Sequence, residues 1–387
     1  MEGAVYLDNA ATTRCDPRVA EAIGRTLSED YGNPSSVHPL GVRAGRALRA
    51  ARETLARALD AGPANVFFTS GGTEANNLAL LGFARATRRH GLHVVVSAIE
   101  HPSTLGAVKA LEEEGFETAI APVDEKGRID PDAFGELLRP DTVAVAVMLA
   151  NNEVGAVAPI AEIAKRVRSR SPRAVFHVDA VQAFGKIPVS IRALGADSLS
   201  VSAHKIHGPK GVGALVLGGR RRPRALVFGG GQEENLRPGT ENLPGIVGFA
   251  RAAALAIETL EAEAARLRAL RDRLWAGLAK HIPDLRRNGD PEACVPTILS
   301  LTFPGVPAEA LLHQLEAKGI YVSAGAACHA KKSSLSHVLV ALGLDRAHVN
   351  STLRFSVGRF TTEEDVAVAL DAVPAAYEGL RALASKR

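Results

Sequence analysis

Cysteine is scarce in this 387-residue chain: Cys15, Cys294 and Cys328 lie far apart, and no Cys-x-x-Cys pair occurs. A disulfide framework and a tetrahedral thiolate metal site are therefore not expected; free thiols in a reducing cytoplasm are. Long apolar runs are also missing. The longest, 143–150, is strand-sized and far short of the roughly 20 residues that cross a bilayer. The N-terminal residues lack a basic-then-apolar export pattern, so neither a membrane nor secretion is expected. Aromatic residues make up only 4% of the chain, and no stacking pattern accompanies the basic runs at 166–173 and 220–224. Those runs read as solvated loops or helix faces rather than a nucleic-acid site. A net charge of +4 is a weak signal at this length and leaves room for an acidic protein partner.

What is present suits an ordinary globular enzyme: 46% hydrophobic and 23% charged residues, in a chain long enough for a large domain and a smaller one. Apolar strand-like runs alternate with amphipathic helical stretches through the first two-thirds. Strands are expected at 93–98, 143–149 and 174–178, with helices at 17–28, 41–59 and 160–169. This alternation predicts an α/β fold with a mostly parallel sheet covered on both faces, and ligand sites at the carboxyl ends of its strands. Beyond Gly239 the pattern changes to long Ala/Leu/Arg/Glu helices, expected at 243–263 and 264–281, with strands near 298–303, 320–322 and 352–357. The reading is a large α/β domain over 15–245 and a smaller α+β domain built from 1–14 and 246–387.

Three features stand out in the large domain. Lys205 sits in Ser-Ala-His-Lys-Ile-His-Gly-Pro-Lys-Gly at 202–211, on a tight turn between two buried strands. Burial there favours the neutral amine, the form that attacks an aldehyde, although a turn lysine reaching water is the plainer alternative. At 66–77, Val-Phe-Phe-Thr-Ser-Gly-Gly-Thr-Glu-Ala-Asn-Asn ends a strand, turns on two glycines and opens a helix. The helix's free amides and a threonine hydroxyl make an anion cradle, or else simply a strand-to-helix turn. The spacing is not that of the nucleotide P-loop. Asp179 ends an apolar strand, where a carboxylate needs a cation, commonly Lys or Arg. Together the three match the handles of pyridoxal phosphate: its phosphate, its ring nitrogen and its aldehyde. His101, Asn151, Asn152 and Gln182 also fall at strand ends, and Asn33 lies in a Gly-Asn-Pro-Ser-Ser loop.

In the smaller domain, Ser-Ala-Gly-Ala-Ala-Cys-His at 323–329 leads into Lys331, Lys332 and serines, which predicts an exposed loop. His329 and the lysines would favour the Cys328 thiolate.

Across nearly its whole length the chain resembles the cysteine desulfurases and selenocysteine lyases, pyridoxal-phosphate enzymes of the type I, class V aminotransferase fold. The resemblance rests on Tyr-Leu-Asp-Asn-Ala-Ala-Thr-Thr at 6–13, Thr-Ser-Gly-Gly-Thr-Glu at 69–74, Glu100-His101, Asn-Asn-Glu at 151–153, His-Val-Asp-Ala at 177–180, His204-Lys205, Arg-Pro-Gly-Thr at 237–240 and Leu-Arg-Phe-Ser-Val-Gly at 353–358. It implies that Lys205 holds the cofactor covalently, that Asp179 keeps the ring nitrogen protonated, and that His101 stacks on the ring and relays protons. Gly72, Thr73, Ser202 and His204 would hold the phosphate, joined by Thr240 from the second subunit of a homodimer. Asn152 and Gln182 would contact the ring, and Arg354, with Asn33 and Asn152, the substrate carboxylate. Cys328 would take sulfur from L-cysteine as a persulfide, leaving alanine, for delivery to an acceptor such as an iron-sulfur scaffold. No metal is implied. The Ala-Cys-His at 327–329 is closer to lyase-like members and keeps L-selenocysteine as an alternative substrate. A non-catalytic scaffold subunit and ordinary transamination are the rival readings.

Overall fold

A computed structural model describes residues 4–324 and 335–384. Strand β1 is Val5–Tyr6; β2 Val66–Thr69, β3 His93–Ser97, β4 Glu117–Ala121, β5 Thr142–Met148, β6 Val175–Asp179, β7 Ser198–Ser202 and β8 Gly213–Leu217 follow, the last seven forming one sheet. Its order is β2-β8-β7-β6-β5-β3-β4, and β8 alone runs against its neighbours, so the expected mostly parallel sheet is present. Every residue of β2, β3, β5, β6, β7 and β8 is buried, because helices cover both faces. Strand β4 escaped the sequence reading for the converse reason: it is the edge strand, and much of it meets solvent.

The smaller unit has an antiparallel sheet of β9 Arg286–Asn288, β10 Ile298–Thr302, β12 Ser323–Ala324 and β13 Thr352–Ser356, while β11 Ile320–Tyr321 pairs in parallel with β1. Leu267, Leu274 and Leu278 from the Leu260–His281 helix pack with Phe303, Phe355 and Tyr377 in its core. Truncating one such leucine to alanine costs about 2–5 kcal/mol.

The two long helices divide at Thr259, not at 263 as expected. No Gly or Pro marks the break. The Leu255 carbonyl at the end of the first helix is instead taken by Thr259 Oγ1 at 3.0 Å and Arg359 Nη2 at 3.1 Å, and the chain bends by 77°. Residue 246, the expected domain boundary, lies inside the Leu243–Glu258 helix, whose Leu243, Ile246, Phe249 and Ala253 are part of the large unit's core.

Candidate active site

Strand alternation builds the floor of the site. Side chains two apart point to one face, so Ser198, Ser200 and Ser202 of β7 form a polar stripe beside His177 and Asp179 of β6. The Gly72–Thr87 helix lays Asn76 over them. Asn76 Nδ2 donates to Asp179 Oδ2 at 2.7 Å and to Ser103 Oγ at 2.9 Å. A carboxylate only accepts, which fixes the amide and makes Asn76 Oδ1 an acceptor from His177 Nε2 at 3.0 Å and from Ser200 Oγ. His177 Nδ1 then accepts a hydrogen bond from Ser198 Oγ at 2.9 Å. Burial drives His177 down to about 3, so this ring is a neutral strut. Asp179 Oδ1 accepts from Val181 N at 2.9 Å. The carboxylate is 4% exposed and makes no ion pair among the described residues. Its donors, Asn76 Nδ2 and Val181 N, are neutral, so the salt bridge weighed above is not made among the described residues, and a cationic donor would complete the site.

The expected cradle is formed. Helix Gly72–Thr87 opens on the second glycine, and a Cβ on Gly72 would lie 2.7 Å from Val181 Cγ2, so only glycine lets the backbone sit this close. Gly72, Thr73, Ser202 and His204 line one cavity of about 450 Å³ with Lys210. Ser202 Oγ is buried there with no hydrogen-bond partner, an orphaned polar group beside a helix's unpaired amides. Glu74 in the first turn is drawn off by Ser70 N at 2.6 Å and Arg237 Nε at 2.9 Å, which removes a competing anion. His204 is pushed down to about 4, by burial first and then by the charges of Lys205 and Lys210.

Lys205 closes a short 3-10 turn, Ala203–Lys205, between β7 and β8. It is half-buried, and Nζ donates to the Ala10 and Ala11 carbonyls at 2.6 and 2.7 Å. The same N-terminal stretch is clamped by Thr13 N and Thr13 Oγ1, both bonded to the His204 carbonyl at 2.9 and 3.0 Å. Gln182 Nε2 also reaches Ala10 O, at 2.9 Å. The orphaned hydroxyl, the glycine approach, the uncompensated carboxylate and the amine together fit pyridoxal phosphate.

A second cavity, of about 440 Å³, is lined by His101, Asn152, Glu153, His337 and Arg354 among others. His101 caps the Pro102–Glu113 helix, its Nδ1 accepting from Ser103 N at 3.1 Å, which leaves Nε2 as the protonated nitrogen of the neutral ring. Burial lowers its pKa, Asp179 opposes this, and Lys205 adds to it, so His101 feels both groups of the first site. Arg354 Nη1 donates to the Asn152 carbonyl at 2.8 Å and Nη2 to Asp8 Oδ1 at 2.8 Å, while its buried Nε has no partner.

Two expected members stand apart. Asn33 is exposed, its Oδ1 accepting from Ser35 N at 2.9 Å to close its own turn, and the structure does not bring it to Arg354. Thr240 is exposed and does not line the cradle of its own chain. Cys328 lies outside the described residues. Asn151 is structural: it receives Glu153 N and Val154 N at 2.8 and 3.0 Å. Sequence reasoning missed Asn76, Asp8 and Lys186. Asn76 could have been found, since it stands three residues after Thr73 and so one helical turn further along the face that carries the cradle.

The family model for aminotransferase class-V matches residues 5–368. A cysteine desulfurase IscS 1 of Archaeoglobus fulgidus is 42% identical over 378 residues, covering 98% of each chain. Among solved structures, a NifS-like protein superposes with a TM-score of 0.92 at 38% identity, covering 97% of this chain and 100% of that one. SspA in complex with cysteine superposes with a TM-score of 0.81 at 32% identity, over 92% of this chain and 99% of that one.

Proposed function

The chain belongs to the aminotransferase class-V family, and on that premise we propose that it is a pyridoxal-phosphate-dependent cysteine desulfurase that converts L-cysteine to L-alanine and passes the sulfur to Cys328. The observation that carries the reading is the shared setting of His101 and Arg354, which line one cavity while His101 senses the charges of Lys205 and Asp179.

Bound at Lys205, pyridoxal phosphate supplies an electron sink for the substrate's Cα. The chain's residues do the rest. Gly72, Thr73, Ser202 and His204 would hold the phosphate, and Asp179 would keep a proton at the ring nitrogen. Arg354 binds the substrate carboxylate through its guanidinium, with its unpartnered Nε–H available. Asn152 and Gln182 would contact the ring. His101 moves a proton at Nε2, general acid-base help worth about 10²- to 10⁴-fold. The Cys328 thiolate attacks the substrate sulfur, so that the S–S bond of a persulfide forms as the Cβ–S bond breaks and leaves its electron pair on the carbon. A proton converts that carbon to the methyl of alanine, and the outer sulfur then goes to an acceptor protein, with an iron-sulfur scaffold as the leading candidate. The exposed Thr240 suits a role in the partner's phosphate site, so the active form is a homodimer, and the chain works in the cytoplasm.

Turnover of L-cysteine and L-selenocysteine side by side tests the reading, with alanine and keto acid as the products scored. Alanine from L-cysteine that disappears in Cys328→Ala supports it. Keto acid in place of alanine would establish transamination, and turnover of L-selenocysteine alone would establish a selenium lyase.

A further inference from the structure

Behind the cofactor site lies a lysine that the reaction does not use. Lys186 is buried, and Nζ donates to Gln182 Oε1 at 2.7 Å. No ion pair among the described residues includes it, although burial of an ammonium normally calls for a carboxylate. Burial lowers its pKa to about 7, with the positive charges of Lys205 and Arg354 adding to the effect. An aliphatic side chain would fill the same space without that cost, so the amine must accomplish something that packing cannot.

What it accomplishes is visible in Gln182. The Ala10 carbonyl only accepts, so the amide nitrogen must face it, and Nε2 does so at 2.9 Å. The amide oxygen is then turned towards Lys186, which can donate to it in either protonation state. Both ends of the amide are held, and one N–H remains uncommitted by these bonds. Ala10 O is also the acceptor of Lys205 Nζ at 2.6 Å, so the Gln182 amide and the Lys205 amine hang from one backbone atom. Lys186 and Lys205 also line a common small cavity of about 40 Å³, room for roughly one water.

We propose that Lys186 is a positioning residue for cofactor binding: by holding Gln182 Oε1 it locks and polarises the amide, so that the remaining Nε2–H is presented to the ring of pyridoxal phosphate. The inference rests on the cofactor reading above and adds to it a residue that touches neither cofactor nor substrate.

The test is a double-mutant cycle on full-length protein, read as the dissociation constant for pyridoxal phosphate and the visible absorbance of the bound cofactor. Gln182→Leu and Lys186→Met should each weaken binding about tenfold, the loss of roughly one hydrogen bond, and should move the absorbance band in the same direction. The double variant, in which neither partner is left unpaired, should fold and bind no more weakly than Gln182→Leu alone. Wild-type affinity in Lys186→Met, or losses that multiply in the double variant, would overturn the proposal. Wild-type protein that takes up no pyridoxal phosphate would overturn the cofactor reading along with it, whereas a chain that binds the cofactor but does not turn over cysteine would leave the Lys186 result fully readable.

Discussion

Arg354 and Asp8, 346 residues apart in sequence, meet at 2.8 Å through Nη2 and Oδ1. The pair is largely buried, and the other arm of the guanidinium is held by a carbonyl, so the fork is aimed before any substrate arrives. Arg354→Lys keeps the charge but loses the planar geometry. The expected result is a rise of about 10- to 100-fold in KM for L-cysteine with a smaller change in kcat, read by steady-state alanine release. An unchanged KM would remove Arg354 from carboxylate recognition.

Asn76 links Asp179, His177, Ser103 and Ser200, so Asn76→Leu strands several polar groups at once. A loss of about 1–3 kcal/mol in stability is expected for each group left unsatisfied. The more specific expectation concerns Asp179→Asn, which replaces the only negative charge in the network. Cofactor affinity should fall about 10- to 100-fold, as for a hydrogen bond to a charged group, on top of the roughly 1–3 kcal/mol that the cofactor-free protein loses because the new amide can accept from only one of Asn76 Nδ2 and Val181 N. Equal affinity by fluorescence titration would deny Asp179 its role.

Ser202 offers a cleaner separation of folding from binding. Its buried hydroxyl has no partner, so Ser202→Ala should leave the cofactor-free protein as stable as before or slightly more so. Affinity for pyridoxal phosphate should nevertheless drop by about tenfold. A variant destabilised without cofactor would mean that the hydroxyl already has a structural bond.

Glu100 carries the pH prediction. Burial raises its pKa from 4.5 to about 8, against the opposing bonds from Ser97 Oγ at 2.6 Å and Met148 N at 2.8 Å. The folded protein therefore keeps a proton that the unfolded chain releases above about pH 4.3. Stability from this group is complete below that value and is lost as pH rises towards 8. The difference in unfolding free energy between wild type and Glu100→Gln should shift by a few kcal/mol between pH 5 and 8, measured by urea titration. A difference independent of pH would mean that Glu100 is ionised throughout.

Much of the site could be read from local sequence because its chemistry is local. A strand ending in two glycines and a threonine already describes a cradle, and a lysine on a Gly/Pro turn between apolar runs already describes an enclosed amine. Asp8 could not be found this way: nothing around it hints at residue 354, and the contact exists because Asp8 bridges in parallel to Ser356 of β13, two residues after Arg354. Lys186 went unmarked, since its meaning depends on a carbonyl 176 positions earlier in the chain that it reaches through Gln182. The helix break at Thr259 was invisible for another reason: the residues on both sides favour helix, and a distant arginine ends the first one. The two-residue strand β12 is too short to show any period.

The N-terminal stretch has a temporal consequence. Ala10 and Ala11 are translated long before the residues that hold them: the strand that anchors their segment is made near position 320 and the arginine that seats Asp8 at position 354. Until those later residues are made, the amine at 205 has its own turn but not the full clasp around it. Nascent chains arrested before residue 320 should therefore hold a folded sheet that captures the vitamin poorly, so that loading waits on residues made more than a hundred positions after the lysine itself.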